Sequence, residues 1–220
     1  MALAWSGGKD SARALLALRQ DPAVEVVALL TTVTADHDRV SMHGIRREVL
    51  EAQARGVGLP LEVAEIRAGD DDAAYGRAMG AALDRLAARW PWLETVAFGD
   101  LFLEDVRAYR EERLRAAGWQ ARFPLWGRDT AELARELIAL GFETTLCCVD
   151  TTQLDARFAG RRYDAALLAE LPAGADPCGE RGEFHTCVHA GPVFRAPLPL
   201  RTGEVVLRDG RFAFCDLLLS

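Results

Sequence analysis

A chain of 220 residues, half of them hydrophobic and 27% charged, is long enough for one large or two small domains with a buried core. Its net charge of −7 argues against the basic footprint of a protein that grips nucleic acid by its phosphates, and no apolar run approaches the roughly 18 residues of a membrane span. Met1 leads straight into an apolar stretch rather than a signal peptide, and the odd number of cysteines, five, reads as reduced thiols, so the expected localisation is cytoplasmic.

Met1 to Trp5 predicts a first strand and Ala12 to Leu18 a first helix, with Ser6-Gly7-Gly8-Lys9-Asp10-Ser11 between them. A strand, a glycine-rich turn and a helix start is the geometry in which backbone amides and a helix dipole collect a phosphate. Lys9 is the only lysine in the chain, every other basic side chain being an arginine, and a compact ammonium suits point contact with a phosphate. The loop is not a Walker A box, because Asp10 follows the lysine and Leu3 stands where the first glycine belongs. Nor is it G-x-G-x-x-G.

The first helix stops near Asp21-Pro22. Val24 to Thr32 is a continuous apolar run that fits a strand buried on both faces of a parallel sheet, with Thr31 at the carboxyl end beside the loop, where it could face an adenine edge. Asp36 to Arg39 reads as a polar mobile loop, and Ser41 as the cap of a helix to about Arg55 with His43 on its first turn. Leu61 to Ile66 predicts a third strand, and Asp70-Asp71-Asp72 an acidic start for a helix through Ala88. Thr95 to Phe98 makes a fourth strand closing on Gly99-Asp100, which in a doubly wound sheet would face the first loop across the switch point. Asp100 is therefore a candidate for metal or ribose contact. On the following helix Arg107 and Arg110, three apart, can reach a phosphate or carboxylate together. Ala121 to Pro124 is a fifth strand, and Asp129 caps a helix through Leu140.

Beyond Gly141 the texture changes. Glu143 to Asp150 reads as a strand and Tyr163 to Leu171 as a short helix. Glycine, proline and polar residues crowd Pro172 to Pro192, and Glu204 to Leu207 with Phe212 to Leu217 form a hairpin around Asp209-Gly210. The alternation of the first half predicts an α/β, doubly wound parallel five-stranded sheet of Rossmann type over residues 1–122, with a smaller C-terminal α+β domain over 123–220.

The segment Asp176 to His189 is the second dense patch of chemistry. Zinc held by Cys178, Cys187, His185 and His189 is disfavoured. In an extended chain the two histidines lie roughly 13 Å apart, too far to share an ion about 2 Å from each nitrogen. Glu183 and His185, two apart, would share one face of an extended stretch, the carboxylate able to deprotonate an amine and the imidazole nearly neutral at cytosolic pH.

Ser6-Gly7-Gly8-Lys9-Asp10-Ser11 resembles the PP-loop of the ATP pyrophosphatases, the adenine nucleotide alpha hydrolase superfamily, whose fold is HUP-like. Within it the chain resembles the diphthine-ammonia ligase family, through Met42-His43-Gly44, Gly99-Asp100-Leu101, Pro124-Leu125-Trp126, Cys178 to Thr186 and Gly191-Pro192-Val193-Phe194. The resemblance implies an ATP-dependent amidation of a carboxylate through an acyl-adenylate, with AMP and pyrophosphate as products. It implies ATP on Ser6, Gly7, Gly8, Lys9, Asp10, Ser11, Thr31 and Gly99, with Mg2+ on Asp10 and Asp100. His43, Arg107, Arg110, Glu180 and Thr186 would face the substrate, with Lys9, Asp100, Glu183 and His185 as the catalytic set. Ammonia and a small or protein-borne carboxylate are the expected partners, diphthine on elongation factor 2 in the family, with no stable nucleic acid, no membrane, and a homodimer allowed. Heavy use of Ala, Arg, Leu and Gly points to a bacterial source, in which the acceptor would be another carboxylate.

Two alternatives share the loop. A tRNA sulfurtransferase would need paired reactive cysteines and a basic surface, whereas Cys147-Cys148 are adjacent in an apolar strand. A non-catalytic nucleotide-binding module would hold ATP without turnover.

Overall fold

The structure is a computed structural model that describes all residues, Met1–Ser220. The first half is a sheet with five parallel strands in the order β4 (Leu61–Ile66), β2 (Ala28–Thr34), β1 (Ala2–Ala4), β5 (Thr95–Ala97) and β6 (Gln120–Arg122). β1 is central, and Ala2 and Leu3 are wholly buried, which is why its short sequence is apolar at every position. The order reverses between β1 and β5, so their carboxyl ends flank the crevice in which open α/β sheets bind ligands.

Helices α1 (Lys9–Gln20) and α2 (Arg47–Val57) cover one face; α3 (Asp72–Arg89) and α4 (Glu104–Ala116) cover the other. The two faces have separate cores. Leu83 and Leu86 of α3 meet Leu114 and Trp119 on one side, while Leu15 and Leu18 of α1 meet Leu50 and Val57 on the other.

The second half is a four-stranded antiparallel sheet in the order β8 (Phe184–Ala190), β7 (Glu143–Asp150), β10 (Phe212–Leu219), β9 (Leu200–Arg208). It lies over the α1 side of the first sheet, and Leu146, Val149, Val188 and Ala213 join the same core as Leu3 and Leu29. α1 is therefore enclosed by two sheets, which explains the apolar residues around it. Arg13, a buried cation within it, is matched by Glu136 of α5 (Thr130–Ala139) at 2.6 Å. The short helix α6 (Ala165–Glu170) follows β7, with Asp164 as its cap.

Gln53 of α2 joins the halves. It is fully buried, accepts from Trp5 Nε1 at 3.1 Å, and donates to the carbonyls of Gly7 at 3.0 Å and Val188 at 2.6 Å. A buried amide with its partners in place fixes one arrangement of the groups around it, because any other leaves a polar group unpaired. Asp216 of β10 adds a second tie, accepting from Arg39 at 3.0 Å and Arg46 at 2.6 Å, and those guanidiniums hold its carboxyl down at about 2.

Three expectations change. The first sheet has a sixth strand, β3 (Arg39–Val40), antiparallel to the end of β2, where a mobile loop was expected. No helix begins at Ser41: Met42 and Gly44 adopt φ of +66° and +68°, and α2 starts only at Arg47. His43 therefore sits in a turn, where no helix dipole acts on it. The C-terminal hairpin is also longer than Glu204–Leu207 and Phe212–Leu217.

Candidate active site

Between β1 and α1 the chain turns at Gly7, with φ of +79°. A Cβ there would lie 2.7 Å from Gln53 Oε1 and 2.9 Å from Ile45, so the position requires glycine on two counts. The next residue, Gly8, fits against the second sheet, where an added Cβ would approach His43 Nε2 and the Thr186 carbonyl at 3.1 Å. Ser11 closes the turn by donating to the Gly8 carbonyl at 2.9 Å. The amides of Asp10 and Ser11, in the first turn of α1, find no acceptor within the protein. They are the orphan donors that a helix start offers to an anion.

Lys9 is not a solvated cation. It is 2% exposed, and its ammonium pairs with the Asp10 carboxylate at 2.8 Å and donates to the Cys178 carbonyl. Its amide donates to the Thr186 hydroxyl at 3.1 Å. The rings of Tyr163 and Phe184 lie 5.6 Å from the ammonium. Burial works against charge on Lys9, but the groups around it, Asp10 foremost with Cys178 and Glu180, together more than offset it, and the ammonium titrates above its ordinary value. Burial pushes the Asp10 carboxyl up in turn.

Beside the loop opens a cavity of about 1130 Å3, bounded by the carboxyl ends of β1, β2 and β5, helices α3 and α4, and the segment from Cys178 to Thr186. It exceeds the usual range for one ligand, roughly 300–1,000 Å3, and so has room for two. Ser6, Lys9, Asp10, Ser11, Thr31, His43, Gly99, Asp100, Arg110, Glu180, His185 and Thr186 all line it. The Thr31 hydroxyl is buried there without a partner. Gly99 lies so close to α1 that a Cβ would come within 2.9 Å of Asp10 backbone, which brings the end of β5 against the loop. Asp100 and Arg110 pair at 2.8 Å, and the guanidinium stacks 4.5 Å from the Phe98 ring.

Two imidazoles, His43 and His185, stack with centroids 4.5 Å apart. Burial, then the nearby charge of the other imidazole and of Lys9, holds His43 well below its ordinary value. Burial and Lys9 bring His185 to about 4. Both are neutral at pH 7 and serve as uncharged donors or acceptors. Glu180 behaves oppositely: burial raises its carboxyl to about 7, even though one oxygen accepts from the Leu101 amide at 2.7 Å. Burial also pushes the Cys178 thiol up to about 12, which removes it as a nucleophile at neutral pH.

Two expected site residues are elsewhere. Glu183 is 2% exposed and does not line the cavity; its oxygens accept from the amides of Asp176 at 2.7 Å and Arg181 at 3.0 Å. It shapes the loop, because the chain curls back before β8 begins at Phe184 instead of running extended through Glu183. Arg107 turns away to stack on Trp126 at 4.7 Å and pairs with Glu111 at 2.8 Å, while Arg110 alone reaches the cavity. Gln53 was not anticipated, although a glutamine on the core-facing side of an amphipathic helix is the signal that marks it.

No group of three or more His, Cys, Asp or Glu side chains is placed to hold a metal ion. Asp10 and Asp100 line the cavity, but each is paired with a cation, Lys9 and Arg110. This donor set does not form an all-protein cage. It fits only the mode in which one or two carboxylates assist a cation already carried by phosphates.

A glycine-rich loop at the switch point of a Rossmann-like sheet, opening on a roomy cavity closed by a second, antiparallel sheet, defines an α/β fold of the PP-loop, Rossmann-like class. Two family models match the chain: the diphthamide synthase N-terminal domain over residues 1–121, and the diphthamide synthase C-terminal domain over residues 129–214. The chain belongs to the diphthamide synthase family. A diphthine–ammonia ligase of Rattus norvegicus is 24% identical over 224 residues, 93% of this chain and 84% of the rat protein. One from Schizosaccharomyces pombe is 27% identical over 128 residues, 56% of this chain but only 21% of that longer protein. No helix of the chain is long and apolar enough to cross a membrane.

Proposed function

We propose that the protein is an ATP-dependent amide ligase of the diphthine–ammonia ligase kind, joining ammonia to a carboxylate and releasing AMP and pyrophosphate. Residues 1–122 would form the ATP-binding unit and 123–220 the acceptor unit, working in the cytoplasm. The observation that carries the reading is the meeting, in one cavity, of the loop's orphan amides with two neutral histidines and a carboxyl that titrates at about 7.

ATP would lie with its phosphates over the first turn of α1 and its base toward Thr31. An acceptor carboxylate oxygen attacks the α-phosphorus, the bond to the bridging oxygen breaks, and pyrophosphate departs onto the Asp10 and Ser11 amides with Lys9 alongside. Fixed donors aimed at that charge are the largest expected contribution to rate. A Mg2+ ion carried by the phosphates, with Asp10 and Asp100 at its edge, would supply further charge neutralisation. Glu180 takes a proton from ammonium, ammonia attacks the acyl carbon, and AMP leaves. Glu180 replaces Glu183 in this role because only Glu180 reaches the cavity. His43 and His185, uncharged, orient the acceptor without repelling the ammonium.

The test is incubation with α-labelled ATP, Mg2+, ammonium and diphthine-bearing elongation factor 2 or a panel of carboxylic acids. AMP together with the amide of one acid, identified by mass, supports the reading. ADP and orthophosphate, or labelled ATP that stays intact with every acceptor, would reject it, the latter in favour of a nucleotide-binding module.

A further inference from the structure

β9 is the outer strand of the second sheet, paired with β10 on one side only. Its last five residues, Glu204–Arg208, are exposed on both faces of the hairpin. Three in a row are apolar: Val205 is 51%, Val206 45% and Leu207 57% exposed. Free edges in soluble proteins are usually blunted by proline, by a bulge or by charges along the strand. β9 contains no proline; its bulge, Gly203 and Glu204 together opposite Asp216, lies ahead of Val205–Leu207, and its charges, Arg201, Glu204 and Arg208, flank that apolar run without interrupting it.

We propose that β9 is a homodimer interface, pairing antiparallel with β9 of a second copy about a two-fold axis through Val206. A two-fold normal to the sheet keeps each face on its own side, so even-numbered residues oppose even-numbered ones. With Val206 opposite its own counterpart, Val205 opposes Leu207, and Glu204 opposes Arg208 on both sides of the axis. Moving the axis to Val205 sets Glu204 against Val206 and Arg208 against Thr202. Moving it to Leu207 sets Arg208 against Val206. Only the Val206 register places opposite charges across from each other, the arrangement that stabilises a cross-strand pair.

Glu204 and Arg208 are available for this, since the hairpin's own ion pairs use Asp216 and Arg211. The run Glu-Val-Val-Leu-Arg is thus complementary to itself in reverse, which identifies a second copy of the chain as the occupant. Val206 and Arg208 also line a groove of about 530 Å3 with Met42 and Phe214, and the axis would set the two copies' grooves side by side on one face of a continuous sheet.

Sedimentation velocity on the full chain through the micromolar range tests the assignment. A dimer is expected for the wild type, with monomer for Val206→Lys, Glu204→Arg and Arg208→Glu taken singly, and dimer again for the double reversal Glu204→Arg/Arg208→Glu. Val206→Cys adds a readout independent of mutant stability: mild oxidation should join two chains through this position, the five native cysteines being buried. A wild type that stays monomeric, a dimer indifferent to the single reversals, a double reversal that does not reassociate, or a Val206→Cys dimer that fails to cross-link would overturn it.

Discussion

The backbone amide of Lys9 donates to the side chain of Thr186, 3.1 Å away and 177 positions later in the chain. The glycine-rich loop thus gives one of its amides to the second sheet, while Lys9 gives its ammonium to the Cys178 carbonyl. The loop is held in shape by the segment that forms the cavity's opposite wall.

Replacing Thr186 by valine keeps the volume and removes the acceptor, leaving the Lys9 amide buried and unpaired. Urea denaturation should register a loss of about 1–3 kcal/mol, and the apparent affinity for ATP should fall with it. Serine at the same position should restore most of both.

Lys9→Ala should abolish AMP release and also destabilise the protein, because the Asp10 carboxylate then lies beside a cavity without its cation. Breaking one side of a buried pair costs about 3–5 kcal/mol, and the partial exposure of Asp10 puts the expectation at the lower end. Lys9→Ala/Asp10→Asn should recover stability without recovering AMP release, which separates the structural from the chemical part by thermal melt and product assay.

The pH dependence of stability contains two opposed contributions. His185 titrates at about 4 when folded against an ordinary 6.5, so the unfolded chain binds the proton first. Stability from this group is complete above 6.5 and is lost as the pH falls toward 4. Glu180 runs the other way: its folded value, about 7, lies above the ordinary 4.5, and its contribution is lost as the pH rises between them. Each amounts to about 2 kcal/mol between pH 5 and 8, so together they nearly cancel. Denaturation at the two pH values should therefore show a Glu180→Gln variant weakening toward acid and a His185→Gln variant weakening toward base.

Gly99→Ala introduces a Cβ 2.9 Å from Asp10 backbone, which cannot swing aside as a side chain could. A loss of about 1–3 kcal/mol is expected from the overpacking, together with weaker ATP binding as the helix start is pushed off the switch point. Gly80→Ala on α3 is the control, since a Cβ there meets nothing within 4 Å. It should stabilise by about 0.5–1 kcal/mol through helix propensity alone.

Much of this was legible in the chain because burial on both faces leaves a plain trace. Glu143 to Asp150, buried along nearly its whole length, is a strand to the residue, as is the half-buried Leu61 to Ile66, and Asp71 and Asp129 cap α3 and α5. The loop and its neighbours at Gly99 and Asp100 were legible for a different reason, since the order of a doubly wound sheet brings those strand ends together. The region after β2 was misread because Ser41 has the chemistry of a helix cap, whereas Met42 and Gly44 take left-handed backbone and Gly44 packs against Phe214, a contact no local pattern contains. Glu183 was misassigned by parity: two apart on a strand means one face, but the strand begins one residue later. Nor could spacing show that Arg107 would find Trp126 and leave Arg110 alone at the cavity.

The contact from Lys9 to Cys178 bears on how this enzyme could be divided or rebuilt. An isolated amino-terminal half would keep every loop residue, yet its lone lysine would face water where a carbonyl, two aromatic rings and the Thr186 hydroxyl had stood. Grafting this half onto an unrelated partner would therefore transplant a glycine-rich loop stripped of the cover that gives it its shape.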